Sequence, residues 1–248
     1  TRRSSDLFKR INGKEGGIIQ AQQNSKVTIS DSYFEANSAE YAGVIYTEIN
    51  SNTHIQNSKF LRNSATVMYG CIAQFGGKIT MLNNYFESCS APEAGAAYIE
   101  RANGLIQNNE FLGNKATTGV GGLLQLYDNE ITLKNNTISH SDSYETTIYS
   151  NKNTLKIDNC TFIKNKSFKK CKVLFALQNT LSITNSYFED GTEANENYGA
   201  FLRTFDTTVN IENTVFKDGK ALFGGAVTYE QVTNATMLNV TFESNTAE

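Results

Sequence analysis

The chain has 248 residues, a formal net charge of −3 and a single proline, while 29 of its residues are asparagine. The near-neutral charge excludes the basic surface of a nucleic-acid-binding protein, and no apolar run reaches the ~18 residues that a membrane-spanning helix needs. Asparagine favours turns over helices, so we expect many short strands joined by turns.

The chain is organised by a column of apolar anchors that recurs every 24 to 28 residues from one end to the other. The anchors are nine phenylalanines and one isoleucine: Phe8, Phe34, Phe60, Phe86, Phe111, Ile138, Phe162, Phe188, Phe216 and Phe242. Because the period is unbroken, we predict one continuous array over residues 1–248, with the phenylalanine rings stacked on one another in the interior.

A second column lies three residues before each anchor and is almost entirely asparagine. After Asp31 it reads Asn57, Asn83, Asn108, Asn135, Asn159, Asn185, Asn213 and Asn239. Two positions earlier every residue is apolar, and polar residues lie between, which is the alternation of a half-buried strand. An amide both donates and accepts hydrogen bonds, so we predict that these asparagines stack as a buried ladder at a turn.

A third column carries glycine followed by apolar residues, nine to eleven positions after most anchors, as at residues 43–46 and 95–98. It predicts a further strand after a tight turn or a close backbone approach. No unit of this length can bury its own apolar face, whereas stacked units can. The predicted fold is therefore all-β: a single-stranded right-handed parallel β-helix of nine to ten coils, with about three short strands in each.

Two motifs alternate along this array. Phe-x-x-Asn occurs at residues 34–37, 60–63, 111–114, 162–165 and 242–245, and the glycine segments approximate Gly-Gly-Ala-Ile. The pair resembles the repeats of the chlamydial polymorphic outer-membrane proteins and of β-helix surface proteins of ciliates and other protists. The resemblance implies an extracellular or cell-surface location and a role in adhesion or as a stalk. The abundance of Asn and Lys would suit a ciliate genome.

The ends of the array lack visible caps, which a β-helix needs. We therefore expect the sequence to be a segment of a longer chain, with any membrane anchor in another part of that chain.

The four cysteines, Cys71, Cys89, Cys160 and Cys171, occupy four different repeat columns. They can be buried free thiols, or a disulfide can join Cys160 to Cys171 or Cys71 to Cys89. A metal site is not indicated, because there is no Cys-x-x-Cys motif and the two histidines lie more than three units apart.

β-Helix enzymes that cleave polysaccharides need two or three acids on one face of adjacent coils. The acids that follow the anchors are never on adjacent coils, and Glu48 and Glu100 are two coils apart with Phe75 between them. We therefore predict no catalytic residue, cofactor or metal ligand.

Sequons for N-glycosylation occur at five positions: Asn135, Asn159, Asn165, Asn234 and Asn239. Three of them belong to the predicted buried ladder, so Asn165 and Asn234 are the predicted glycosylation sites. Residues 164–172 hold five lysines and are interpreted as a solvated loop, or as a docking site for an acidic partner or glycan.

These observations favour a non-catalytic extracellular rod, structural or adhesive, within a larger surface or scaffold protein. Its partners would be other chains of that assembly, or glycans. The alternative is a carbohydrate-binding or carbohydrate-active β-helix that uses a lateral face, as lyases and hydrolases of this architecture do.

Overall fold

The computed structural model describes residues 7–190 and 198–247, and all regular structure in these residues is β-strand. The strands are short, pair in parallel, and each pairs with its counterpart about 26 residues along the chain. They form four sheets that run along a rod, and we number them 1 to 4 in the order in which the chain crosses them within one coil.

Sheet 1 carries the anchors and has ten strands. They are Leu7–Lys9, Tyr33–Glu35, Lys59–Leu61, Tyr85–Glu87, Glu110–Leu112, Thr137–Ser139, Thr161–Ile163, Tyr187–Glu189, Val215–Lys217 and Thr241–Glu243.

Sheet 2 follows the Phe-x-x-Asn motif and has seven strands. They are Asn12–Glu15, Ser38–Tyr41, Ser64–Met68, Ser90–Ala91, Lys115–Ala116, Asp142–Ser143 and Lys166–Ser167. In the last two coils a separate pair takes the equivalent place: Lys220–Ala221 and Thr246–Ala247.

Sheets 3 and 4 have nine strands each. Those of sheet 3 are Ile19–Ala21, Ile45–Thr47, Ile72–Phe75, Ala97–Glu100, Leu124–Tyr127, Ile148–Asn151, Leu174–Leu177, Leu202–Phe205 and Val227–Glu230. Those of sheet 4 are Lys26–Ser30, Asn52–Gln56, Lys78–Leu82, Asn103–Gln107, Glu130–Lys134, Thr154–Asp158, Thr180–Thr184, Thr208–Glu212 and Asn234–Leu238.

The parallel β-helix predicted from the repeat is confirmed, with one difference. From Leu7 to Thr184 each coil has four strands where the sequence predicted about three, and the strand that was not predicted is that of sheet 2. Most sheet 2 strands are only two residues long, as at Ser90–Ala91. A strand of that length has no alternation of apolar and polar residues from which it could be recognised.

The sheet 1 anchors point inward and stack ring on ring. Ring centroids of successive phenylalanines lie 4.5 Å (Phe60–Phe86) to 5.4 Å (Phe216–Phe242) apart. This spacing follows from the ~4.8 Å between neighbouring strands, which brings equivalent rings into stacking contact. Ile138 interrupts the stack, and at the ends Phe8 is half-buried while Phe242 is 49% exposed.

The predicted asparagine ladder lies on the outside of the rod, not inside it. Its residues have φ between 49° (Asn213) and 55° (Asn83, Asn108), the left-handed region that Asn adopts more readily than most residues. This conformation turns the chain from sheet 4 into sheet 1 and leaves the side chains exposed. The prediction of a buried ladder is therefore wrong, since these residues form the outer corner.

The exposed amides still hydrogen-bond from coil to coil. Each Nδ2 donates to an oxygen in the preceding coil over 2.8 to 3.4 Å, in most cases to the ladder asparagine there. Asn57 donates to Asp31 and Asn185 to Asp158, so the chain of amides is not uniform.

The buried ladder is formed by the next residue along the chain. Asn109 is 2% exposed, and its Nδ2 donates to the carbonyl of Met81 over 3.0 Å. Its Oδ1 accepts the backbone N–H of Asn84 over 2.8 Å. One side chain thus satisfies a backbone donor and a backbone acceptor at the corner of the preceding coil.

The same arrangement recurs at two further corners of the coil. At the end of the Phe-x-x-Asn motif it is made by Asn37, Asn63, Asn114, Asn165 and Asn245. Between sheets 3 and 4 it is made by Asn129, Asn153 and Asn179.

A disulfide joins Cys71 to Cys89 inside the rod, with the Cα atoms 6.1 Å apart. It links the segment before sheet 3 to the corner between sheets 1 and 2, where Cys89 replaces the asparagine of the Phe-x-x-Asn motif. Of the alternatives left open by the sequence, the structure contains this bridge.

The predicted bridge between Cys160 and Cys171 is wrong, because both are buried free thiols. Cys160 lies at a sheet 4 to sheet 1 corner, where its Sγ is 3.5 Å from the carbonyl oxygen of Leu133. Cys171 lies before sheet 3, with its Sγ 3.5 Å from Oγ1 of Thr146. Burial raises the pKa of the Cys171 thiol to about 11, so it stays protonated at neutral pH.

We predict that Asn109→Ala lowers the free energy of unfolding by about 2–4 kcal/mol, because it leaves the N–H of Asn84 and the carbonyl of Met81 without partners. Asn108→Ala should cost about 1 kcal/mol, the strain of alanine in a left-handed corner. Urea denaturation of both variants measures this. An equal cost for the two neighbours would contradict the assignment of the buried ladder.

Thiol titration tests the cysteine pairing. The native protein should react with no thiol reagent, the denatured protein should show two thiols, and denaturation with a reductant should show four. Cys160→Ser/Cys171→Ser is the control, and should show none before reduction. Cys71→Ser should free Cys89, so the denatured variant should show three thiols before reduction. A count lower than that of the unmodified protein would mean that the bridge joins other cysteines.

Candidate ligand-binding strip on the outer face of sheet 3

Sheet 3 presents aromatic side chains to the outside of the rod. In strand Ala97–Glu100 the inward residues Ala97 and Ile99 belong to the core cluster, so Tyr98 faces outward. The register aligns Tyr46, Tyr98, Tyr149 and Phe175 in one outward column.

A second outward column, two positions on, adds Phe75 and Tyr127, and Tyr69 joins from the preceding loop. We call these seven residues the aromatic strip: Tyr46, Tyr69, Phe75, Tyr98, Tyr127, Tyr149 and Phe175. Neighbouring rings touch from coil to coil, with centroids 4.2 to 5.8 Å apart. Such cross-strand aromatic contacts stabilise a sheet, yet they place a continuous apolar line where alternation would put polar residues.

Carboxylates and amides border the rings at the middle of the strip. The hydroxyl of Tyr98 donates to Glu100 over 2.8 Å, and Glu100 also pairs with Arg101 at 2.9 Å. Gln125 Nε2 lies 3.2 Å from Glu93, which comes from the loop before sheet 3. These acids therefore act as hydrogen-bond acceptors that hold neighbouring side chains in place.

Cations cover the rings at the end of the strip that holds Phe175, which we call the far end; the near end holds Tyr46. Lys170 Nζ lies 4.7 Å from the ring centre of Phe175 and 5.5 Å from that of Tyr149. The Arg203 guanidinium lies 4.3 Å from the ring centre of Tyr198 and 5.5 Å from that of Phe175. All four of these distances fall within the ~6 Å range of cation–π attraction.

The strip tyrosines are held in the neutral form. Burial raises the pKa of Tyr69 and of Tyr149 to about 12. Burial, followed by the hydrogen bond to Glu100, raises the pKa of Tyr98 further still. At neutral pH these hydroxyls are donors, and they are not available as tyrosinate nucleophiles.

A cavity of about 390 Å³ opens at the near end of the strip. Tyr46 and Phe75 form its apolar side, with their centroids 5.4 Å apart and their planes at 47°. Glu15, Glu48 and Arg101 also line it. A second cavity of about 320 Å³ lies on sheet 4 beside His54, whose Nε2 is 3.2 Å from Gln56 Oε1.

The structure changes which sequons are accessible. Asn165 is 2% exposed, and its amide donates to the carbonyl of Ile138 and accepts the N–H of Ser141, each over 3.0 Å. The prediction of a glycan at Asn165 is therefore wrong, since a glycan there would break the corner. Asn234 is exposed. The three sequons of the outer ladder are exposed as well: Asn135, Asn159 and Asn239.

The basic stretch is only partly solvated. Lys164 and Lys166 are exposed, but Lys172 is 1% exposed and forms an ion pair with Asp190. Lys170 lies over the strip and pairs with Glu145. Across residues 7–190 and 198–247, no group of three or more His, Cys, Asp or Glu is arranged to hold a metal ion.

Sequence reasoning missed the strip, although a signal was present. Tyr46 and Tyr98 each follow a glycine segment by three residues, with small or apolar residues between. That offset places both rings on the outward side of a strand whose inner side is already specified. Tyr69 had no such signal, because it reaches the strip from a loop.

A family model described as "Right handed beta helix region" matches residues 3–121 and 76–247. The chain belongs to the right-handed β-helix family. This match confirms the fold, including its predicted handedness, and it leaves open the narrower type of repeat. No curated protein matches the sequence.

Two solved structures similar to this β-helix are mutants of the periplasmic alginate epimerase AlgG. The single mutant has a TM-score of 0.30 and 10% identity, covering 96% of this chain and 79% of the other. The double mutant has a TM-score of 0.27 and 8% identity, covering 95% and 76%. Similarity at this level transfers neither activity nor site residues. In the described ranges of this β-helix, no helix is both long and apolar enough to cross a bilayer.

We predict that the native protein ionises in two tyrosine phases during alkaline spectrophotometric titration. Tyr69 and Tyr149 should ionise near pH 12, whereas in urea all tyrosines should ionise near the ordinary pKa of about 10. Because the pKa of these tyrosines is higher in the folded than in the unfolded state, their protonated form contributes to the free energy of unfolding. That contribution is complete below about pH 10 and is lost as the pH rises towards 12. Tyr149→Phe should remove part of the late phase; a single phase in the native protein would contradict the burial of the strip.

Proposed function

We propose that this chain is a non-catalytic extracellular rod, part of a larger surface or scaffold protein, that adheres to its partners through the aromatic strip. The observation that carries the proposal is the line of outward rings from Tyr46 to Phe175. Tyr98 and Tyr149 are 9% and 8% exposed, and the other five rings are half-buried, so these five form the accessible surface. Aromatic residues are enriched where protein surfaces bind partners, since they bury large areas at little cost in side-chain entropy.

The buried disulfide supports an extracellular location. Disulfides persist in oxidising compartments and are rare in the cytosol. The bridge between Cys71 and Cys89 lies inside the rod, so it belongs to the folded structure rather than to a transient redox centre. The repeat resembles those of the chlamydial polymorphic outer-membrane proteins and of protist surface proteins, which agrees with such a location.

The acids along the strip favour binding over catalysis. Hydrolysis of a glycosidic bond needs a proton-donating acid and a second carboxylate facing the same bond. Glu100 is held by Tyr98 and Arg101, and Glu145 by Lys170. Their partners suit them to fix the shape of a surface.

The second candidate function is carbohydrate binding or carbohydrate turnover at the same strip. It is favoured by the combination of flat rings with polar groups such as Gln125 and Glu93 on one lateral face. Apolar surface with a few oriented polar groups is the usual composition of a small-molecule site.

Adhesion of cells that display the chain tests the first candidate. Retention under flow over glycan-coated and matrix-protein-coated surfaces should fall at least about fivefold in Tyr127→Ser/Phe175→Ser, because two contact rings are lost. Leu82→Ser/Leu105→Ser, on the outer face of sheet 4, is the matched control and should retain adhesion.

Equal retention of both variants would contradict the strip as the contact surface. The same purified protein, incubated with a panel of polysaccharides, should release no reducing ends and no unsaturated sugars over time. Saturable turnover would overturn the non-catalytic assignment and favour the second candidate.

A further inference from the structure

The two ends of the strip differ in how their rings are used. At the far end Phe175 lies beneath Lys170 at 4.7 Å, and Tyr198 lies beneath Arg203 at 4.3 Å. Each of these cations also meets a carboxylate: Glu145 for Lys170 and Glu230 for Arg203. At the far end, each cation is thus held by an aromatic ring together with a carboxylate.

The near end has the same components without the cation. Tyr46 and Phe75 meet at 47° and form the apolar side of the cavity of about 390 Å³, which Glu15 and Glu48 also line. Within the described residues, neither of these two acids forms an ion pair, and no Lys or Arg lies over either ring. Both act on the hydroxyl of Tyr46, since their charges add to burial in raising its pKa.

Arg101 is the cation on the cavity wall, and it does not neutralise the site. Its guanidinium is 2.9 Å from the carboxylate of Glu100, which is the register partner of Phe75 on the next coil. The charged residues of the cavity lining are two acids, Glu15 and Glu48, against one cation, Arg101, which is already paired with Glu100. The cavity is therefore aromatic on one side and carries a net negative charge.

We propose that the cavity between Tyr46 and Phe75 binds an organic ammonium group of a ligand, held by the two ring faces and by the carboxylates of Glu15 and Glu48. Ring faces attract cations electrostatically, and the attraction grows when the cation is partly withdrawn from water. The volume of about 390 Å³ lies in the range of small-molecule sites. This inference rests on the proposed role of the strip as a contact surface and adds the chemistry of one ligand.

Choline is titrated into the purified, oxidised chain, and binding is measured by ligand-observed NMR or calorimetry. This tests whether the positive charge of the ligand contributes to binding. The matched neutral probe is 3,3-dimethylbutan-1-ol, in which carbon replaces the ammonium nitrogen. We expect choline to bind roughly tenfold more tightly than this alcohol, and its affinity to fall as salt is raised. Ethanolamine, a primary ammonium of similar length, shows whether the site prefers a methylated or an unmethylated ammonium; tighter binding than the alcohol by either probe supports the proposal.

Variants locate the binding. Glu48→Gln and Phe75→Leu should each weaken choline binding about fivefold. Glu212→Gln, on the outer face of sheet 4, and Phe205→Leu, in the column of Phe75 at the far end, are the matched controls and should bind as the unmodified chain does. Glu48→Gln keeps the size of a surface side chain, so it decides the question even where Phe75→Leu disturbs folding.

The proposal is overturned if neither choline nor ethanolamine binds more tightly than the alcohol, or if Glu48→Gln leaves the binding of the tighter ammonium unchanged. Failure of this inference differs from failure of the proposed function. If Tyr127→Ser/Phe175→Ser loses adhesion but the unmodified chain binds no ammonium, only the ligand proposed for the cavity is rejected. If the unmodified chain binds ammonium but the double variant adheres normally, the adhesive role of the strip is rejected.

Discussion

The structure depends on one interaction: a buried side-chain amide that completes the backbone hydrogen bonds of the coil before it. Where the chain turns between sheets, its N–H and C=O groups leave the ladder of strand pairing. Asn109 and its counterparts supply the missing partners from within. Because an unpartnered buried backbone group costs about 1–3 kcal/mol, most of these corners hold such an amide, or a hydroxyl replacing it. Cys89 and Cys160 stand at two of the exceptions.

This requirement couples sequence to shape over the whole rod. The buried amide must follow a residue in the left-handed conformation, and Asn108, with φ of 55°, is that residue beside Asn109. Of two adjacent asparagines, Asn108 therefore makes the turn on the outside of the rod, and Asn109 completes backbone hydrogen bonds on the inside. The inward rings occupy the space between corners, and the outward faces of the sheets are left free for other uses. The aromatic strip occupies one of these faces without disturbing the core.

The fold could be predicted from the sequence because the repeat imposes the same environment on each column. Phe111 and Phe188 are buried for the same reason, so the pattern is visible many times. The predicted ladder failed at a finer level: one-residue resolution was needed to tell Asn108 from Asn109, and both are asparagine. The glycosylation prediction at Asn165 failed for the same reason, since a motif does not show on which side of a corner its amide lies. The near-end cavity could not be predicted from the sequence, because Glu15 and Phe75 come from different coils.

The internal bridge has a mechanical meaning for a rod. If a stacked coil structure is pulled at its ends, coils can peel away one after another, and each one that opens releases its length of chain. Cys71 and Cys89 are 18 residues apart in the sequence, so the segment between them cannot extend while the disulfide holds. In a reducing environment that stop is lost. The force at which the rod lengthens, and how far it does so, therefore depends on the redox state of the surroundings in which it bears load.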